Sequence, residues 1–271
     1  MLFSSVPFLF YFLPAALLIY FAAPRQLKNA VLLLASLFFY AWGEPKYMLL
    51  MLVSIVQGYG FGLLIEKHRG QKASKVFLTL SILVSLGLLG YFKYADFFLS
   101  SVNAVTGLSL PLLKLSLPIG ISFYTFQTMS YSIDVYRQDV KTEHNIIDFG
   151  AYVVMFPQLI AGPIVKYRDV SNQLHVYEGR ITLDRIEQGV SLFVFGLAKK
   201  VLLADAIGQL WTDIIGVKGS TTAAIGLANA STPLVWLGVI AYSLQLYFDF
   251  SGYSMMGIGM GKMLGFDFPA N

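Results

Sequence analysis

The stretch Tyr242-Ser-Leu-Gln-Leu-Tyr-Phe-Asp-Phe-Ser-Gly-Tyr-Ser254 places hydrogen-bonding and ionisable side chains inside the last apolar segment of this chain. An ionisable group in a membrane helix costs roughly 2.5–3.5 kcal/mol at the bilayer centre, so by default it faces a cavity or a partner. At helical spacing one face carries Tyr242, Gln245, Asp249, Gly252 and Met256, and Tyr253 lies one turn beyond Asp249. We refer to this face as the polar seam and expect it to line the functional site.

The composition around the seam is that of a polytopic membrane protein. Of the 271 residues, 56% are hydrophobic and 13% are charged, whereas soluble domains carry about 25% charged residues. Cysteine is absent, which excludes disulfides and a thioester intermediate on the protein. The net charge of +4 is modest and is typical of cytoplasmic loop charge, so a nucleic-acid partner is not expected.

Eight apolar segments follow one another and predict one multi-pass membrane domain over residues 1–271. Several are shorter than the ~20 residues that a straight crossing needs. The second segment predicts a short buried or partly inserted helix, which Gly43-Glu44-Pro45 ends. The segments are Val6–Ala23, Asn29–Trp42, Tyr47–Ile65, Val76–Phe92, Pro118–Tyr136, Phe149–Val165, Gly189–Leu203 and Leu234–Phe250, the last with a Gly-rich continuation to Leu264.

Basic residues predict the orientation of the first segments. Arg25 and Lys28 follow the first segment, and four basic residues between 67 and 75 follow the third. The positive-inside rule places both connections in the cytoplasm. The connection Lys93–Leu117 then lies outside.

The sixth segment, Phe149–Val165, contains helix breakers at Pro157, Gly162 and Pro163. Further basic residues follow it, although a full crossing would place them outside. Non-helical backbone at membrane depth persists only where protein buries it or where it lines a watery cavity. We therefore expect a re-entrant loop that enters and leaves on the cytoplasmic side.

The fifth segment, Pro118–Tyr136, is unusually polar for a crossing. Its polar residues form two helical faces, which fit either interhelical hydrogen bonding or the wall of a cavity. One face carries Ser122, Thr125 and Ser132, and the other carries Gln127, Ser130 and Asp134.

Simple catalytic or metal motifs are weak here. His68, His144 and His175 each lie in a polar connection, and none has a second metal ligand at i+4, so no metal site is expected. Ser251 lacks the Gly-x-Ser-x-Gly elbow of a serine nucleophile. Lys199 and Lys200 end an apolar segment. They fit positive-inside anchoring or a phosphate contact for a donor such as coenzyme A.

Several separated strings together resemble the membrane-bound O-acyltransferase family, closest to its alginate O-acetyltransferase branch and the D-alanyl-transferring relatives. The resemblance covers essentially the whole chain. The strings are Leu117-Pro-Ile-Gly-Ile-Ser-Phe-Tyr-Thr-Phe-Gln127 with Ile133-Asp-Val-Tyr-Arg137, Phe156-Pro-Gln-Leu-Ile-Ala-Gly-Pro-Ile164, Gly196-Leu-Ala-Lys-Lys-Val-Leu-Leu-Ala-Asp205 and Tyr247-Phe-Asp-Phe-Ser-Gly-Tyr-Ser254.

The resemblance implies an all-α integral membrane protein of the plasma membrane, a polytopic helical bundle with short or re-entrant helices around a tunnel. It implies that an acyl thioester such as acetyl-coenzyme A gives its acyl group to a hydroxyl outside the cell, with no bound cofactor. The acceptor would be a polysaccharide, a cell-wall polymer or an extracellular partner protein. The tunnel would be lined by Gln245, Asp249, Ser251, Gly252 and Tyr253, with Pro157, Gln158, Gly162 and Pro163 as its re-entrant wall.

Two positions depart from the family pattern. Met255 stands where members usually carry aspartate, and the family's essential histidine belongs to a Trp-His string expected beyond Asn271. Transfer to a hydroxyl needs a base to take its proton, so we assign no catalytic residue within 1–271. We expect the N-terminal part of an acyltransferase that is inactive alone. The alternatives are a transporter or scaffold, a homologue without activity, and an enzyme of D-alanyl transfer.

Overall fold

Helices make up all the regular structure of the residues described by the computed structural model, namely 2–159, 162–163, 165–176, 181–215 and 230–269, and these residues form no strand. This confirms the all-α expectation. The α-helices are α1 Leu13–Ala22, α2 Lys28–Gly43, α3 Met48–Lys67, α4 Lys72–Thr106, α5 Ile121–Arg137, α6 Ile146–Val154, α7 Phe156–Leu159, α8 Tyr167–His175, α9 Leu183–Ala198, α10 Asp205–Ile215 and α11 Thr232–Met263. Two π-helical stretches, Phe8–Phe12 and Lys199–Ala204, precede α1 and α10.

Three of the described helical stretches are long and apolar enough to cross a membrane: Pro45–Lys67, Lys72–Thr106 and Thr232–Met263. At 1.5 Å per residue, the ~20 residues of a crossing span the ~30 Å hydrocarbon core. Phe8–Ala22 is apolar but shorter.

Helix α4 extends much further than its sequence pattern predicts. The apolar segment ends at Phe92 and the connection Lys93–Leu117 follows it in the sequence, but the helix continues into this connection as far as Thr106. The following chain holds this extension, because the Asp96 carboxylate accepts the backbone N–H groups of Leu113 and Lys114 at 2.7 and 2.9 Å. The outside location of this connection stays a prediction.

The sixth segment is broken, as its prolines predict. Helix α6 ends at Val154, Met155 leaves the helical conformation, and α7 is a single turn. The backbone N–H of Phe156 donates to the Ser36 hydroxyl of α2 at 3.0 Å, which satisfies a donor that the break exposes. Ile160, Ala161 and Ile164 lie outside the described residues, so the re-entrant path stays a prediction.

The chain divides into two compact units. Unit 1 comprises Met1, Pro14–Ile160 and Ile164–Arg180, and unit 2 comprises Leu2–Leu13, Ala161–Pro163 and Ile181–Asn271. The single-domain expectation for 1–271 stays a prediction. The core of unit 1 contains aromatic pairs whose ring centroids lie 4.6–5.3 Å apart, which is contact distance for aromatic rings. The residues that form these aromatic pairs are Tyr131, Phe149, Tyr152 and Tyr167.

Candidate functional site

The polar seam lies on α11 in unit 2, where glycines bring α9 unusually close. A Cβ atom built on Gly196 would lie 2.6 Å from the carbonyl oxygen of Gly252, and one on Gly189 would lie 2.6 Å from that of Gly259. Ordinary contact begins at about 3.4 Å, so neither position admits a side chain without moving a backbone. Small residues are what membrane helices use to pack this closely.

Directly after α9, charged groups of the stretch Lys199–Ala204 lie beside polar residues of α11. The ammonium of Lys200 lies 3.0 Å from an Asp249 carboxylate oxygen and 2.6 Å from one of Asp205. The preceding residue, Lys199, donates from its ammonium to the Ser251 hydroxyl at 3.2 Å. Four residues that the sequence singled out therefore form two contacting pairs, Lys200 with Asp249 and Lys199 with Ser251.

The two lysines differ in how their charge is balanced. Lys200 is largely buried, with 16% of its side chain exposed, and it is shared by Asp205 and Asp249. In the described part of the chain no carboxylate lies within ion-pair distance of Lys199, whose partner is the neutral Ser251 hydroxyl. The Lys199 ammonium thus contacts only a hydroxyl among the described side chains, whereas the Lys200 ammonium lies between two carboxylates.

The lysines lie in a π-helical stretch, Lys199–Ala204, between α9 and α10. A π-helical turn closes i→i+5 hydrogen bonds and so holds an additional residue. Such turns occur frequently at functional sites. Here the stretch begins at Lys199, and both lysines contact α11. Asp205, the first residue of α10, follows the stretch directly.

The other seam residues pack on neighbouring elements of unit 2. A Cβ atom on Gly208 of α10 would lie 2.6 Å from the Gln245 amide nitrogen, so this glycine provides the space that the amide occupies. The Gln245 amide oxygen is buried without a partner in the part of the chain that the structure describes. Tyr242 packs on Trp211, and Tyr253 is buried beside Phe3, with ring centroids 4.9 and 5.5 Å apart.

The residues predicted for the re-entrant wall are buried, but they fall in different units. Pro157 and Gln158 lie on α7 in unit 1, where the Gln158 amide donates to the Tyr152 carbonyl oxygen. Gly162 and Pro163 are buried in unit 2. A common wall that includes them and the seam stays a prediction.

The polar residues of helix α5 take part both in interhelical hydrogen bonding and in the wall of a cavity, the two arrangements that the sequence left open. On one face Ser132 shares a hydrogen bond of 2.9 Å with Ser81 of α4. On the other face Gln127 and Ser130 line a cavity of about 390 Å³ in unit 1. The Gln127 side chain is 5% exposed, and its amide oxygen has no partner among the described atoms. The remaining lining residues are Ser122, Phe123, Phe126, Met129, Ile133, Val165 and Lys166.

Comparison with known protein families decides what kind of protein this is. The model of the family described as "MBOAT, membrane-bound O-acyltransferase family" matches residues 37–270, which is most of the chain. This chain belongs to the membrane-bound O-acyltransferase family. The resemblance seen in the sequence is therefore confirmed, and the protein is an all-α membrane protein of that family. Acyltransferases of this family need no metal cofactor.

Curated relatives are similar along the chain. The probable alginate O-acetylase AlgI of Pseudomonas aeruginosa is 42% identical over 276 residues, covering 100% of this chain and 51% of the relative. The peptidoglycan O-acetyltransferase of Helicobacter pylori is 34% identical, covering 100% and 55%. The teichoic acid D-alanyltransferase of Streptococcus thermophilus is 26% identical, covering 90% and 51%. The chain thus spans about half the length of the curated relatives it matches.

Proposed function

We propose that this chain forms part of an O-acyltransferase that moves an acyl group, acetyl in the first instance, from a thioester donor to a hydroxyl of a cell-surface or extracellular polysaccharide. The family and the names of the relatives, which act on alginate and peptidoglycan, support this function. The observation that carries the proposal is the contact of Lys200 with Asp249 and Asp205 between apolar helices. Charged groups in such helices face functional paths or one another.

The arrangement suggests separate roles for the seam residues. Asp249 is engaged by the Lys200 ammonium, so we assign it a positioning role and not the removal of the acceptor's proton. Lys199, with a hydroxyl as its partner, is the better candidate for a phosphate of the donor. Gln245, Ser251 and Tyr253 would complete the wall of the acyl-transfer tunnel, whereas Gly252 packs against Gly196 of α9.

The proposal also covers the location of the protein and the sides of the membrane from which donor and acceptor arrive. The protein would lie in the plasma membrane as a multi-pass protein, with the lipid bilayer around α3, α4 and α11. The donor would come from the cytoplasm, and the acceptor would be a polysaccharide or an extracellular acetyltransferase partner. No bound cofactor is needed in this scheme, because the thioester itself carries the activated acyl group.

The test is acyl transfer by the protein from the gene's complete reading frame, purified in detergent, with acetyl-coenzyme A as donor. We expect Lys199→Met to raise KM for the donor about 10- to 100-fold with little change in kcat, the range for losing a charge-assisted contact of about 1.5–3 kcal/mol. We expect Asp249→Asn to lower kcat. Lys262→Met, which removes the charge of another lysine of unit 2, one that donates to Gln188 at 3.1 Å, is the matched control and retains the donor KM. Unchanged kinetics in both Lys199→Met and Asp249→Asn would contradict the proposal.

A D-alanyl donor is the second candidate, because the Streptococcus thermophilus relative is named for teichoic acid D-alanyl transfer. The same assay distinguishes the two when acetyl-coenzyme A is compared with acetyl- and D-alanyl-carrier-protein thioesters. Turnover with the D-alanyl donor alone would favour the second function.

A further inference from the structure

Three side chains of types that can bind metal ions lie close together, although they come from separate parts of unit 1. Glu143 lies in the connection before α6, Asp148 lies in the first turn of α6, and His175 ends α8. A His175 ring nitrogen lies 2.9 Å from a Glu143 oxygen, and the other ring nitrogen lies 3.7 Å from an Asp148 oxygen. One ligand atom from each residue lies within 4.8 Å of the other two. We call these three residues the Glu-Asp-His cluster.

Neighbouring side chains hold the two carboxylates in place. The Tyr167 hydroxyl donates to Glu143 at 2.7 Å, and the Asn145 amide donates to Asp148 at 3.0 Å. Both carboxylate residues are at least nine-tenths buried, whereas His175 is half exposed and leaves a path from solvent. Ligands oriented by an outer layer of hydrogen bonds are characteristic of metal sites.

An independent observation comes from Asn29 of α2. Its side chain is 2% exposed, and its amide nitrogen donates to Asp148 at 2.8 Å and to the Leu174 carbonyl at 2.9 Å. The amide oxygen has no partner among the described atoms. Buried polar atoms are nearly always satisfied, so this oxygen, on an amide whose nitrogen contacts Asp148, is an unused acceptor beside the cluster.

We infer that the Glu-Asp-His cluster binds a divalent cation of the Zn²⁺ class. Ligand bonds of about 2.0–2.1 Å in tetrahedral geometry separate ligand atoms by about 3.3 Å. With one ligand atom taken from each residue, the three atoms lie within 4.8 Å of one another, so side-chain movements of up to about 1.5 Å bring them to that spacing. One imidazole and two carboxylates, without thiolates, suit Zn²⁺ or Mn²⁺ and not Cu(I).

The cation would join α2, α6, α8 and the connection before α6, and its role is structural. The cluster belongs to unit 1 and the seam to unit 2, and the family needs no metal for acyl transfer. The sequence expectation of no metal site rested on i+4 spacing, and these ligands come from three different parts of the chain. The inference stands or falls independently of the proposed function.

Zn²⁺ binding to chelator-treated, purified protein tests the site, measured by equilibrium dialysis with elemental analysis. We expect one Zn²⁺ per chain, at least about tenfold weaker binding in His175→Gln and Glu143→Gln, and no comparable binding of Mg²⁺. His144→Gln is the matched control, because His144 also lies 2.9 Å from a carboxylate, that of Glu66, but at an exposed position. Absence of stoichiometric Zn²⁺, or wild-type affinity in both cluster variants, would overturn the inference.

A second variant keeps the test decisive if His175→Gln does not fold. Asn29→Asp adds a third carboxylate to those of Glu143 and Asp148. Without a cation, this variant therefore has a lower unfolding temperature than wild type, because the like charges repel one another. With a cation at the cluster, added Zn²⁺ restores the unfolding temperature of Asn29→Asp more than it raises that of wild type. Equal Zn²⁺ responses in the two proteins would refute the site.

Discussion

The contact between α9 and α11 gives the sharpest prediction, and Gly196→Ala is the perturbation that tests it. The added methyl group would lie 2.6 Å from the Gly252 carbonyl oxygen and 2.8 Å from the Met256 backbone nitrogen. Both obstacles are backbone atoms, so no side-chain rotation relieves the overlap. The two helices must separate by about 0.8 Å to restore the 3.4 Å of ordinary contact.

The cost follows from the overlap. Overpacking of a well-packed interface costs about 1–3 kcal/mol, and for a protein of this size each kcal/mol shifts the unfolding temperature by roughly 2–4 °C. We expect Gly196→Ala to lower the unfolding temperature by roughly 2–12 °C. Since Gly196 lies one turn before Lys200, the separation also weakens the contact of Lys200 with Asp249.

Thermal unfolding in detergent, followed by intrinsic fluorescence, is the assay. Gly87→Ala and Gly90→Ala on α4 are the matched controls, because a Cβ at either glycine meets nothing within 4 Å. Alanine has the higher helix propensity by up to about 1 kcal/mol, so we expect these controls to be neutral or stabilising. If Gly196→Ala unfolds at the same temperature as the controls, the close packing of α9 on α11 is refuted.

The remaining predictions concern single contacts. Gly208→Ala displaces the Gln245 amide, which is a flexible group. We therefore expect reduced acyl transfer by the complete protein with little change in unfolding temperature, and unchanged transfer would mean that Gln245 has no part in the site. Ser132→Ala removes the hydrogen bond to Ser81 and should cost about 0.6 kcal/mol in chemical unfolding, whereas a loss of several kcal/mol would mean a larger network. Gly120→Ala meets a backbone oxygen at 2.9 Å at a φ of +75°, so we expect lower thermal stability than for either α4 control.

Much of the fold could be predicted from local sequence pattern. The apolar segments Asn29–Trp42 and Tyr47–Ile65 correspond closely to α2 and α3, because hydrophobic runs and helix-ending Gly-Glu-Pro groups act over a few residues. The break near Pro157 was also predictable, since proline disrupts a helix wherever the chain goes. The extension of α4 to Thr106 was not, because it depends on Asp96 binding a later part of the chain.

The candidate site also contains residues that the sequence predicted and residues that it did not. The seam residues on α11 follow from helical periodicity, and the family follows from four strings in fixed order. Short α8 and α10 carry no long apolar run and were missed, so His175 and Gly208 had no predicted neighbours. No sequence signal links Glu143, Asp148 and His175, because their spacing fits neither one helix nor a known ligand motif.

The sequence by itself determined that this is a helical membrane protein of the acyltransferase family and which face of α11 is polar. Only the tertiary structure decided that Lys200 is held by Asp249 while Lys199 contacts a hydroxyl, although the two lysines are adjacent in sequence. Local periodicity fixes the direction of a side chain on its own helix. Its partner is fixed by how closely two helices pack, and here that distance is set by glycines far apart in the chain.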